Sequence, residues 1–150
     1  MRFEVHSTVR AAPETVFVTL ADLGGYGDWL PPSGEYHGTT EVTPGSIAAG
    51  TSYVEVSPSG TRRGEISEYA PVTRLAFRQT MTLAPAVLGE IDIAIRYLLR
   101  PDHGGTAVTR LVWVGVPVRT RVLRPVIRRR FLVESRRVMD ALVAHFEAAG

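Results

Sequence analysis

The chain contains no cysteine and no lysine. The first absence removes disulfides, thiolate nucleophiles and every cysteine-bearing zinc motif together. The second means that all seventeen basic residues are arginine, even on faces where lysine would serve equally well, which points to genome composition more than to a site. Long hydrophobic runs are also missing. The longest strongly apolar uncharged run, Leu111 to Val118, is far too short to span a bilayer, and the opening MRFEVHSTVR is charged and alternating, unlike a secretory signal. A cytoplasmic location is expected. No G-x-S-x-G elbow, P-loop or Rossmann glycine fingerprint occurs, so hydrolase, phosphoryl-transfer and dinucleotide readings have no support. His6, His37, His103 and His145 are scattered without metal-pair spacing, so neither a metal nor another cofactor is implied.

What is present is a globular composition, 45% hydrophobic over 150 residues, without low-complexity tracts, repeats or a linker. One domain spanning 1–150 is the simplest organisation. The net charge of +2 hides an asymmetry. Residues 1–103 carry eight arginines against twelve acids, and residues 104–150 carry nine against three.

Phe3, Val5, Ser7 and Val9 alternate with polar neighbours, the period-two pattern of a half-buried strand. Pro13 and Glu14 open a short helix with Val16, Phe17 and Leu20 on one side, and Gly24 and Gly25 end it. Strands are then expected over about 35–43, 51–57, 62–69, 74–83, 88–100 and 106–116, separated by turn clusters too short for crossover helices. Neighbours must therefore run antiparallel. Leu75, Phe77, Gln79, Met81 and Leu83 share one face, as do Ile91, Ile93, Ile95, Tyr97 and Leu99. The strands around Val54 and Val112 are apolar on both sides, and the pattern does not orient them. From about Pro125 to Ala148 the helical period returns: Ile127, Phe131, Leu132, Val138, Met139, Leu142, Val143 and Phe146 fall on one arc, and Arg129, Arg130, Arg136, Arg137 and Asp140 on the other. Pro125 either starts that helix or kinks it.

Seven strands at about 4.8 Å spacing make a sheet roughly 34 Å across, whereas one helix is about 10–12 Å thick. The sheet must curl around the helix, and the gap is left to the short helix and the segment GGYGDWLPPSG, whose Tyr26, Trp29 and Leu30 would roof one end. The space beneath either fills with side chains or remains as a pocket, about 300–1,000 Å³ when it holds a small molecule.

The order strand, short helices, six-stranded meander, long carboxy-terminal helix resembles the helix-grip fold of the START-like, Bet v 1-like (SRPBCC) superfamily, which includes polyketide cyclases and dehydrases. The resemblance runs over essentially the whole chain, carried by AAPETVFVTLADLGGYGDWLPP, by GTSY from Gly50 to Tyr53 and by GEISEYAPVTRLAFR from Gly64 to Arg78. It implies an α+β fold in which a seven-stranded curved antiparallel sheet wraps a long C-terminal helix, with two short helices after the first strand. For function it implies a small hydrophobic, even lipid-like, ligand, with a polyketide cyclase, aromatase or dehydratase as the alternative, and no universal catalytic residue.

Within such a cavity the candidate ligand-binding residues are Trp29, Leu30, Tyr53, Gln79, Tyr97, Trp113, Phe131, Ser135 and Met139. Trp29 reads either as a ring at the pocket entrance or as a core plug; Tyr53, Tyr97 and Trp113 read as packing first. Ser135 and Gln79 sit on otherwise apolar faces and need partners: a ligand, a water or, for Ser135, the carbonyl one turn back. Glu55, Glu65 and Glu68 would donate protons if they turned inward, but outward and solvated is the default. The arginines from Arg119 to Arg137 raise nucleic acid, an anionic membrane or an acidic protein as partners. Glu134 and Asp140 interrupt them and no aromatic interleaves for base stacking, so a solvated helix face with internal ion pairs is expected, without nucleic acid, in a monomer or homodimer.

Overall fold

The computed structural model describes residues 1–149. Its elements are β1 (Arg2–Val9), α1 (Pro13–Ala21), β2 (Thr39–Thr40), β3 (Ser52–Ser57), β4 (Gly60–Ala70), β5 (Arg74–Leu83), β6 (Glu90–Asp102), β7 (Gly105–Gly115) and α2 (Arg124–Ala149), with 3₁₀ turns at Leu23–Asp28, Ala86–Leu88 and Val118–Leu123. The strands form one antiparallel sheet in the order β1-β7-β6-β5-β4-β3-β2. β1 thus returns to pair with β7 and completes a seven-stranded layer. A register shift between Ile66 and Glu68 in β4 adds the local twist that a bulge imposes, and the sheet bends around α2 as the helix-grip arrangement requires.

Alternation and pairing agree. Phe77 faces Ile95 and Gln79 faces Ile93 across β5 and β6, so both expected inward rows meet on the same side. α2 lays Ile127, Ser135, Val138, Met139, Leu142 and Phe146 against that face, all buried. Pro125 lies in its first turn and starts it. α1 buries Val16, Phe17 and Leu20, with the Phe17 ring edge-on to Tyr69 at 5.3 Å. It ends at Ala21, and Gly24 and Gly25 belong to the 3₁₀ turn that follows, the second of the two short helices.

One expected strand is largely absent. Instead of 35–43, only Thr39–Thr40 keeps regular strand geometry, paired with β3, while His37 and Thr43 donate isolated backbone hydrogen bonds to the Val56 and Ser52 carbonyls at 2.8 and 2.9 Å. Gly38 at φ 131° and Glu41 at φ 50° take the backbone out of the extended region on either side, and Tyr36 turns into the core. The segment from Trp29 to Tyr36 therefore crosses the end of the sheet as a roof.

Candidate functional site

Under that roof, between the sheet and α2, lies a cavity of about 60 Å³, room for a few waters. It is well below the size expected for a preformed ligand pocket, because side chains fill most of the space. Leu23, Tyr26, Leu30 and Tyr36 close it from above, Phe77 and Ile95 from the sheet, and Phe131 and Val138 from α2. Its centre is polar.

Three cross-strand pairs build that centre. Tyr97 on β6 stands directly opposite Arg110 on β7, and the Arg110 Nη1 donates to the Tyr97 hydroxyl. The Arg110 Nε donates to Ser135 Oγ on α2 at 3.2 Å. This guanidinium is 9% exposed, yet no carboxylate among the described residues lies within 4.0 Å of it, and its Nη2 makes no hydrogen bond among them. The second pair is Glu55 on β3 opposite Arg62 on β4. Arg62 is equally buried but well partnered: Nη1 lies 3.5 Å from Glu55 Oε2 and donates to the Glu35 carbonyl at 2.7 Å, and Nη2 lies 3.7 Å from Glu35 Oε2. The third is Tyr53 opposite Gly64, which in turn stands opposite Gln79. A Cβ at Gly64 would come within 2.8 Å of the Tyr53 phenol, so the missing side chain lets Tyr53 lie across β4 and accept a 2.5 Å hydrogen bond from Gln79 Nε2.

In these bonds both phenol oxygens accept, which leaves the Tyr53 and Tyr97 hydroxyl hydrogens unspent. Tyr53, Tyr97 and Arg110 line the same cavity, so these hydroxyls and Arg110 Nη2 are the donors left for an occupant. Burial holds the Tyr53 hydroxyl far above the usual phenol range, with Glu55 adding to the effect, so it stays protonated. The Glu55 carboxyl is also raised, by burial first, against the opposing pull of Arg62 and Arg110.

The roof is fastened by polar ties. Arg137 Nη1 donates to the Pro31 carbonyl at 2.7 Å while its Nε and Nη2 hold Glu134 at 2.5 and 3.0 Å. Ser59 Oγ reaches the Gly34 carbonyl at 3.1 Å and Glu35 Oε1 at 2.8 Å. The Tyr26 hydroxyl donates to the Leu20 carbonyl at 2.6 Å. The Trp29 indole N–H is buried with no partner, an arrangement that costs about 1–3 kcal/mol.

Of the residues singled out in the sequence, Leu30, Tyr53, Gln79, Tyr97, Phe131 and Ser135 line the cavity. Trp29 does not; its ring packs behind Tyr26 at 5.0 Å. Met139 is fully buried one turn beyond Ser135, in the core away from the cavity. Trp113 is on the opposite face of the sheet, because Val112 and Val114 take the inward phase, and Arg2 stacks over its indole at 5.6 Å. Glu55 reverses its expected outward setting, and Ser135 bonds to a side chain instead of its own helix. The sequence reading missed Arg62 and Arg110, having assigned arginine to solvated faces.

Sheet, gripping helix and polar-centred cavity together define a helix-grip domain. By its match over residues 1–147, the chain belongs to the family described as polyketide cyclase / dehydrase and lipid transport. No curated protein matches it in sequence. Among solved structures it is similar to TTHA0849 from Thermus thermophilus (TM-score 0.74, 19% identity, 100% of this chain and 99% of that one) and to a START superfamily protein from Mycobacterium smegmatis (0.74, 14%, 99% of both chains). DynU16, a protein in the dynemicin biosynthetic locus, is similar over 94% of this chain and 46% of its own (0.61, 18%). At such identities the likeness concerns the fold.

Proposed function

We propose that the cavity binds a small molecule with an apolar body and one oxyanion or strongly accepting oxygen, seated on Arg110. The observation that carries this reading is the Arg110 guanidinium, buried without a carboxylate. An unpaired buried cation costs several kcal/mol, and a ligand oxygen that accepts from Arg110 Nη2 and the two phenols would offset that cost. Tyr53, Gln79, Tyr97 and Ser135 then act by fixing those donors, and Leu30, Phe77, Phe131 and Val138 supply apolar contact at roughly 25 cal/mol per Å² buried. The present volume admits only the polar end. Admission of the body requires the segment from Trp29 to Tyr36 to swing outward, and the unsatisfied Trp29 N–H is a cost of the closed state that such a movement relieves.

Glu55 favours a second reading, an enzyme of the cyclase, aromatase or dehydratase type. A carboxyl with a raised pKa beside a site for a developing oxyanion can exchange a proton with a carbon next to a carbonyl while Arg110 holds the enolate oxygen. Native mass spectrometry of freshly purified protein tests the binding reading: a reproducible extra mass, identified on release as an acid or an enolisable ketone, is expected, and a released neutral hydrocarbon would contradict it. Turnover by wild type but not by Glu55→Gln, with capture intact in both, would select the enzyme.

A further inference from the structure

We propose that the end of the molecule formed by residues 84–89 and 117–129 docks on an anionic lipid surface. Of the seven large hydrophobic residues left exposed among the described residues, four are here: Val87 at 77%, Val118 at 82%, Val122 at 84% and Val126 at 55%. Val118, Val122 and Val126 recur at four-residue spacing along the 3₁₀ turn and the start of α2. The two segments abut: a Cβ on Gly89 would meet the Arg119 guanidinium at 2.7 Å, and an apolar cleft of about 120 Å³ between them is lined by Leu88, Leu123, Val126 and Ile127.

Charge within these two segments has one sign. Arg119, Arg121, Arg124, Arg128 and Arg129 are exposed, and no acid occurs from His103 to Val133. Acids border this end at Glu90, just past the first segment, at Asp92, beside Gly115, and at Glu35, which lines the cleft and which Arg130 meets at 3.8 Å. The arginines crowd the N-terminus of α2, whose first turn has no acidic residue. Cations at the positive end of a helix dipole oppose it, so helix stability does not account for them.

Exposed valines interleaved with arginines fit the headgroup boundary of a bilayer, where the apolar groups enter and the guanidiniums reach phosphate. Neither segment contains an aromatic residue for base stacking, and a nucleic acid would have no use for the valines. Among the described residues no helix is long and apolar enough to cross a membrane, so this contact is peripheral. It stands whether or not the cavity holds a ligand.

The test is flotation of the full chain with phosphatidylcholine vesicles, with and without phosphatidylglycerol. Binding is expected only with phosphatidylglycerol, and should fall as salt is raised. Arg119→Glu and Arg121→Glu should each lower partitioning at least fivefold, since one basic residue near such a surface is worth about 1 kcal/mol. Arg119→Lys should leave it unchanged. Val118→Ser with Val122→Ser, which changes no charge, should lower it about tenfold through lost apolar contact, with the far-ultraviolet circular dichroism of wild type. Equal binding to both vesicle types, full binding by the valine variant, or binding to a DNA duplex tighter than to vesicles would each overturn the proposal.

Discussion

Replacing Arg110 by methionine is expected to make the ligand-free protein more stable. The side chain is 9% exposed and makes two hydrogen bonds, to Tyr97 and Ser135, with no carboxylate within 4.0 Å among the described residues. Desolvating the cation costs several kcal/mol, while hydrogen bonds from a charged group return about 1.5–3 kcal/mol each. Neither partner is stranded by the change. The Ser135 hydroxyl can turn to the carbonyl one turn back, and the Tyr97 oxygen faces the cavity. The two bonds together return about 3–6 kcal/mol, so the polar terms nearly cancel, and the net gain comes from the apolar contact of the methionine that fills the vacated length: about 1 kcal/mol, at about 2–4 °C in Tm per kcal/mol for a chain of this size. Urea unfolding followed by circular dichroism, with an unchanged m value, measures it. Arg62→Met provides the contrast. There the guanidinium serves Glu35 and Glu55, and its loss should cost about 3–5 kcal/mol by leaving buried carboxylates uncompensated. Equal destabilisation by the two substitutions would refute the reasoning, since Arg110 would then be held by the fold and not kept for a ligand.

Glu55→Gln bears on pH. Burial raises the Glu55 carboxyl above its ordinary value, so the folded protein retains a proton that the unfolded chain releases. The stability from this group is complete below the unfolded value of about 4.3 and is lost as pH rises through the folded one. Thermal melts across that window should show the glutamine variant gaining on wild type as pH rises and then running parallel; a constant difference would contradict the assignment. Gly64→Ala places a methyl 2.8 Å from the Tyr53 phenol and 2.9 Å from the Arg78 carbonyl, and should cost about 1–3 kcal/mol in urea unfolding. Unchanged stability there would mean that Tyr53 does not cross β4 as described.

The sheet and its gripping helix were legible because β5, β6 and α2 carry clean periodicity, and Tyr26, Trp29 and Leu30 advertised a roof by being aromatic and apolar inside a turn-rich segment. The cavity's charged centre was not legible. It sits on β3, β4 and β7. On β3 and β7 apolar residues on both faces mask the period of two, Val54 beside Tyr53 and Glu55, Leu111 and Trp113 beside Arg110 and Val112, and on β4 the adjacent Arg62 and Arg63 fall on opposite faces with no apolar row to orient them. The usable signal lay in phase and pairing. Val108, Arg110, Val112 and Val114 keep the inward phase, and pairing β7 with β1 sets Val112 opposite Phe3 and Arg110 opposite Val5, which commits Arg110 to the interior. The truncated β2 had no comparable signal beyond Gly38, because the turn of Tyr36 into the core is decided by packing against distant strands.

The most direct measurement for the central claim is calorimetric titration of an apolar carboxylate and its alcohol of equal length into wild type and Arg110→Met. An oxygen charge seated on Arg110 predicts that wild type prefers the acid by at least about tenfold, roughly 1.4 kcal/mol, and that the methionine variant loses that preference while still taking up the alcohol. The same preference in both proteins, or none in wild type, would contradict it.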